Sequence, residues 1–144
     1  EDVVDRLLNK IKGADNEDKL RRGLELASDL AAIKGEPVSA LAAVKAILAS
    51  AGANQDSVDR LAQVVEAMSN RTGTKGQISL DFSLVRDLAY YNGVIFEVSH
   101  SNWPGTLGGG GRYDTLSRAL GASNAVPALG FAYNLDALVA VGAK

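Results

Sequence analysis

The chain has 144 residues, a formal net charge of −2, 47% hydrophobic residues and 22% charged residues. That is the length of one ordinary domain with enough apolar residues for a core, and it excludes intrinsic disorder and nucleic-acid binding driven by bulk positive charge. With no cysteine and one histidine, a disulfide scaffold, a thiolate metal site, a cysteine nucleophile and a poly-histidine metal centre are excluded within this chain.

The first half reads as four amphipathic helices. Val4, Leu7, Leu8 and Ile11 repeat at helical spacing up to Gly13. Asn16 is placed to cap a second helix with Leu20, Leu24, Ala27 and Ala31 on one stripe and Gly35 past its end. Pro37 suits the start of a third, carrying Leu41, Val44, Ile47 and Leu48 and stopping at Gly52. Asn54 is placed to cap a fourth, with Val58, Leu61, Val65 and Met68 on its stripe. Short connections predict antiparallel neighbours. Alanine-rich contacts bury little area each, so this bundle is expected to be marginal alone.

Composition changes near residue 72. All the aromatic residues, beginning with Phe82, and most of the glycines follow it. The polar stretch Asn70-Arg71-Thr72-Gly73-Thr74-Lys75-Gly76 reads as a linker. Beyond it, residues 77–82 alternate as a half-buried strand, and residues 94–98 form a β-branched and aromatic strand after Asn92-Gly93. A loop with Pro104 leads to a strand running from Thr106-Leu107 into four glycines. Residues 112–120 have helical spacing at Tyr113, Leu116 and Leu120, capped by Gly121; residues 128–132 read as a short buried strand and 135–141 as a closing helix.

Three segments carry candidate chemistry. In the first, Arg86 stands between a strand and Tyr90-Tyr91. An arginine there can clamp a carboxylate while phenols fix a polar ligand; the alternative, which spacing alone favours, is an Arg86–Asp87 surface patch with the tyrosines filling core. In the second, Gly108-Gly109-Gly110-Gly111 precedes Arg112-Tyr113-Asp114. Glycines let a ligand approach the backbone, with a cation and a hydroxyl at the rim; the alternative is a flexible hairpin turn. No Gly-Lys-Ser/Thr follows, and residue 113 is Tyr, so neither a P-loop nor a Gly-x-Gly-x-x-Gly fingerprint fits. The third, residues 127–138, is by itself a buried strand turning into a helix. His100 lies in a polar loop with no base or nucleophile near it in sequence.

In this order, the segments resemble the histidyl-tRNA synthetase family. The family's recognition stretch Leu-Val-Arg-Gly-Leu-Asp-Tyr-Tyr stands as Leu84-Val85-Arg86-Asp87-Leu88-Ala89-Tyr90-Tyr91. Its Val-Phe-Glu strand is matched by Val94-Ile95-Phe96-Glu97, and its Gly-Gly-Arg-Tyr-Asp is unchanged at Gly110-Gly111-Arg112-Tyr113-Asp114. Its third class-defining motif is matched by Pro127-Ala128-Leu129-Gly130-Phe131-Ala132 and by Asn134-Leu135-Asp136-Ala137-Leu138, where the family has Gly-Leu-Glu-Arg-Leu. The resemblance implies an α+β fold: part of a class II aminoacyl-tRNA synthetase-like antiparallel sheet with helices over residues 73–144, preceded by a small helical insertion domain over 1–72. It implies a histidine site at Arg86, Tyr90, Tyr91, Gly110, Gly111, Arg112, Tyr113 and Gly130. There the counterpart of Arg86 reaches the substrate carboxylate and α-phosphate, and those of Tyr91 and Tyr113 line the imidazole pocket. It also implies a degenerate ATP site at Asn134, Asp136 and Ala137, because the arginine that stacks on adenine in the family is replaced by Ala137 and the motif's glycine by Asn134.

Keeping the histidine pocket while losing the ATP clamp resembles one branch of the family, the regulatory subunits of ATP phosphoribosyltransferase. That likeness implies a non-catalytic, histidine-binding role in the first step of histidine biosynthesis, acting allosterically on a short catalytic partner subunit. No catalytic residue, metal or cofactor is expected, nor a nucleic-acid or membrane partner, and the expected location is cytoplasmic. The alternatives are a divergent histidyl-tRNA synthetase core that activates histidine with ATP, and a plain interaction module. The first two class-defining motifs do not stand in this sequence, so the expectation is the C-terminal part of a longer protein. An exposed sheet edge is expected to favour a homo-oligomer.

Overall fold

The computed structural model describes residues 14–71, 77–86 and 89–142. The helix expected over residues 4–13 and most of the polar linker lie outside them. The chain divides into two compact units, Glu1–Leu84 and Val85–Lys144.

The first unit holds helices α1 (Ala14–Ala31), α2 (Pro37–Ser50) and α3 (Asp56–Ser69) and a two-stranded ribbon of β1 (Lys34–Gly35) and β2 (Leu80–Asp81). Helix α1 begins two residues before Asn16, and its half-buried residues include Leu20, Leu24 and Leu30, while Ala27 and Ala31 are exposed. The helix turns its larger side chains inward, because a leucine removes more apolar area from water than an alanine does. Gly35 is not a helix stop. It lies in β1 at φ 135°, a conformation open to glycine.

Helix α2 starts as its sequence suggests, with Pro37 in its first turn. The Glu36 side chain completes the cap by accepting from the Val38 and Ser39 N–H groups, each at 3.0 Å. Those bonds hold the Glu36 carboxyl below its ordinary range. Ahead of α3, the Asn54 side chain accepts from the Asp56 N–H. Among the described residues of this unit, Ala40, Val44, Val58 and Leu80 are the buried apolar ones, and α2 packs against both α1 and α3.

The strand expected over 77–82 is only two residues long. It pairs antiparallel with β1, Lys34 opposite Asp81 and Gly35 opposite Leu80. Lys34 Nζ lies 2.6 Å from Asp81 Oδ2, and the Phe82 N–H donates to the Ile33 carbonyl. These bonds tie residues 80–82 to the helical unit. The contact boundary therefore falls at 84/85, past the compositional change near 72.

The second unit is a three-stranded antiparallel sheet in the order β3 (Ile95–Ser99), β4 (Thr106–Arg112), β5 (Leu129–Tyr133), with α4 (Leu116–Ala119) and α5 (Leu135–Gly142). The four glycines are neither a turn nor a loose loop. They form the middle of the central strand, and Gly108 to Gly111 pair with Val98 to Ile95 on one side and with Tyr133 to Gly130 on the other. The helix expected over 112–120 shrinks to α4, because the ladder continues to Arg112 opposite Leu129 and the Tyr113 N–H donates to the Ala128 carbonyl at 2.9 Å. Helix α5 packs against β4, with Ala137 fully buried. Among the described residues, no helix is long and apolar enough to cross a membrane.

Candidate functional site

Alternate residues of a strand point to opposite faces, and cross-strand partners share a face. Gly109 and Gly111 therefore share one face with their β3 partners Glu97 and Ile95 and with Ala132 and Gly130 on β5. On this face the missing side chains are replaced by others. A Cβ on Gly109 would run into the Arg86 guanidinium; one on Gly111 would lie 2.7 Å from Tyr91 Cδ1; one on Gly130 would lie 2.7 Å from the Tyr113 hydroxyl. Three glycines thus form a floor beneath one arginine and two tyrosines.

Arg86 reaches this floor from the segment before β3, and its Nη1 donates to Glu97 Oε1 at 2.9 Å. Its side chain is 23% exposed, and among the described residues the buried Nε–H has no acceptor. An unsatisfied buried donor costs about 1–3 kcal/mol, and an anionic acceptor is the group that would remove that cost.

The tyrosines pack as a triad. Tyr90 and Tyr91 have ring centroids 4.9 Å apart, Tyr90 meets Tyr113 edge-on at 5.3 Å, and Tyr91 lies 6.2 Å from Tyr113. Burial pushes the Tyr90 phenol up, and the neighbouring Tyr91 and Tyr113 add to it. Tyr113 is fixed from below by the strand exit. The Asn92 side chain accepts from the Asp114 N–H and donates to Thr115 Oγ1, while Asp114 accepts from the Ala128 N–H. A cleft of about 490 Å³ adjoins the triad, lined by Tyr90, Tyr91, Asn92, Thr115 and Leu116 among others.

The sequence-predicted residues are partly brought together. Arg86, Tyr91, Gly111, Tyr113 and Gly130 share the glycine-floored face, and Tyr90 joins through its rings. Gly110 and Arg112 follow the opposite parity. A Cβ on Gly110 would run into the Gly130 carbonyl and Phe131. Arg112 donates from Nε to Asp114 Oδ2 at 2.8 Å, and this pairing holds the Asp114 carboxyl below the usual range. Of the residues assigned to the degenerate nucleotide site, Asn134 caps α5, its Oδ1 accepting from the Ala137 N–H at 3.1 Å. Asp136 is exposed in the first turn, and Ala137 has no exposed surface.

Sequence reasoning missed Glu97 and Asn92. The period-2 pattern puts Glu97 on the face of Ile95, but only the strand register puts it opposite Gly109.

The family model described as Histidyl-tRNA synthetase matches residues 5–138. The ATP phosphoribosyltransferase regulatory subunit of Carboxydothermus hydrogenoformans is 51% identical over 63 residues, 44% of this chain and 19% of that protein. Its namesake in Shouchella clausii is 41% identical over 111 residues, 73% of this chain and 28% of that protein. The histidine–tRNA ligase of Sulfolobus acidocaldarius is 42% identical over 79 residues, 55% of this chain and 18% of that protein. The chain therefore spans less than a third of the length of these relatives.

Proposed function

We propose that this chain, which belongs to the histidyl-tRNA synthetase family, is part of a non-catalytic, histidine-sensing regulatory subunit of ATP phosphoribosyltransferase. Histidine binds on the glycine-floored face. Its carboxylate pairs with Arg86 and its imidazole lies against Tyr91 and Tyr113. Binding biases one arrangement of the assembly and so changes the activity of the short catalytic partner, with a coupling on the order of 1–3 kcal/mol.

The observation that carries the reading is the contrast between two places in one unit. Arg86, Tyr91 and Tyr113 converge on one face, whereas position 137 is an alanine without exposed surface. An alanine has neither charge nor plane with which to hold a purine. The two regulatory-subunit relatives support the same assignment.

Isothermal titration of histidine into the natural full-length protein, together with an assay of the catalytic partner with and without histidine, tests the reading. Binding accompanied by a change in partner activity is expected; absence of either defeats it. The ligase relatives favour a second reading, a divergent catalytic core that activates histidine with ATP. Histidine-dependent exchange of pyrophosphate into ATP would establish that reading instead.

A further inference from the structure

We infer that Glu97 is a positioning residue that sets the ligand preference of this face, by holding the Arg86 guanidinium where it meets a carboxylate. The inference deepens the histidine-binding reading and rests on it.

The guanidinium lies directly over Gly109, so close that a Cβ there would collide with Nη1 and come within 3.0 Å of Cζ. Glycine clears the space but holds nothing. The one hydrogen bond that fixes the head group among the described residues is the 2.9 Å contact from Nη1 to Glu97 Oε1. Glu97 is itself set by the ladder, opposite Gly109. Its carboxylate and the guanidinium it holds therefore occupy one register position, on the face shared with Tyr91 and Tyr113.

Glu97 takes a single N–H, at Nη1, and among the described residues no other acceptor meets the guanidinium, whose Nε–H is buried. An arginine held at one corner presents its remaining donors in a fixed direction, which suits a planar anionic group. An unheld arginine would have to be ordered at the moment of binding, at a cost in side-chain entropy. Glu97 also places a negative charge beside the site. A ligand acid must therefore meet the guanidinium in one orientation, and a diffuse anion gains little. The ligand class that fits is a zwitterionic amino acid with a free carboxylate, as against its amino-alcohol or amide analogue.

The test uses the natural full-length protein and two probes, histidine and histidinol, which differ in the carboxylate. Calorimetry is run on wild type, Glu97→Gln, Glu97→Ala and Glu97→Met. Methionine keeps the side chain's length without an acceptor, and provides the reading if the alanine variant fails to fold. Wild type is expected to prefer histidine. In Glu97→Ala or Glu97→Met, histidine affinity falls roughly ten- to hundred-fold, the worth of a misplaced charge-assisted hydrogen bond, while histidinol affinity stays within about two-fold. Glu97→Gln keeps an oxygen acceptor and recovers most of the preference. A histidine-to-histidinol ratio unchanged in the alanine or methionine variant overturns the role of Glu97 while leaving histidine binding standing. A wild-type protein that binds neither probe overturns both.

Discussion

Replacing the β-sheet glycines one at a time by alanine separates the two faces of the central strand. None of the four glycines of β4, nor Gly130, has a positive φ, so glycine is needed there for space and not for backbone conformation. An added methyl should gain roughly 0.5–1 kcal/mol by restricting the unfolded chain. Overpacking opposes that gain by about 1–3 kcal/mol where the obstacle cannot move. At Gly110 the obstacles are backbone: the Gly130 carbonyl and Phe131 Cα, the latter 2.7 Å from the new carbon. Relief requires the β4–β5 ladder to part, so Gly110→Ala is expected to lose about 1–2 kcal/mol net in urea unfolding. At Gly130 the nearest atoms are the end of the Tyr113 ring, its hydroxyl at 2.7 Å and Cε1 at 3.1 Å, and a phenol can swing aside. Gly130→Ala should therefore leave stability within about 0.5 kcal/mol of wild type, while histidine affinity falls about ten-fold, near 1.4 kcal/mol, because Tyr113 is displaced. Gly110→Ala, measured where it is folded, should bind histidine as wild type does. If Gly110→Ala proves as stable as wild type, or Gly130→Ala unfolds as readily as Gly110→Ala, then space is not what these glycines supply.

Other outcomes rest on single contacts. The hydrogen bond from Lys34, reinforced by those from Ser83, lowers the Asp81 carboxyl from 3.8 to about 2. Its folded pKa lies below its unfolded one, so its stabilisation is present above pH 3.8 and is lost as pH falls towards 2. Asp81→Asn should remove that part of the acid dependence of thermal unfolding, and Lys34→Met should shrink it, because the folded pKa then moves back towards 3.8. Asn134→Ala removes the cap of α5 and should cost about 1 kcal/mol in urea unfolding, whereas Asn134→Gly should cost only about a few tenths. Ala137→Arg forces an unpaired guanidinium into a site with no exposed surface. It should destabilise the second unit by more than about 3 kcal/mol, read by urea unfolding, and should produce no histidine-dependent pyrophosphate exchange.

Local chemistry was legible where neighbours in sequence decide the structure. Pro37 at the start of α2 and the β-branched run of β3 each act over a few residues, and both elements form about where the pattern puts them. Distant pairing was not legible. Lys34-Gly35 carries no strand pattern, and its ribbon exists because residues 80–81 come back to it. The same return moves the contact boundary to 84/85, although composition changes at the end of α3. At Tyr113, helical spacing to Leu116 and Leu120 suggested a helix, but the ladder bonds of Arg112 and Tyr113 take those residues first. The site was legible as a set of residue types. Its division between two faces was not, because parity depends on a register fixed only by pairing.

A central strand with four consecutive glycines is weak by itself, since it loses the most backbone freedom on folding and offers no side chain to pack. Strand geometry does not demand it, and Val98, Phe96 and Ile95 opposite are ordinary strand formers. What stands over the glycines has to offset the loss. On one face that is the neighbouring strand: a Cβ on Gly108 would meet the Ala132 carbonyl and the Tyr133 ring, and one on Gly110 the Gly130 carbonyl and Phe131. On the other it is an arginine with an unanswered N–H and two phenols. Packing of the adjacent strand explains the first face, since its backbone, with the Tyr133 ring at Gly108, fills the missing volume. On the second face a Cβ at 109 would meet the Phe96 carbonyl as well as the guanidinium, and one at 111 would meet Ile95 as well as Tyr91, so backbone and polar side chains both require glycine there. The arginine and phenols over these glycines are the feature on which the proposed histidine site rests.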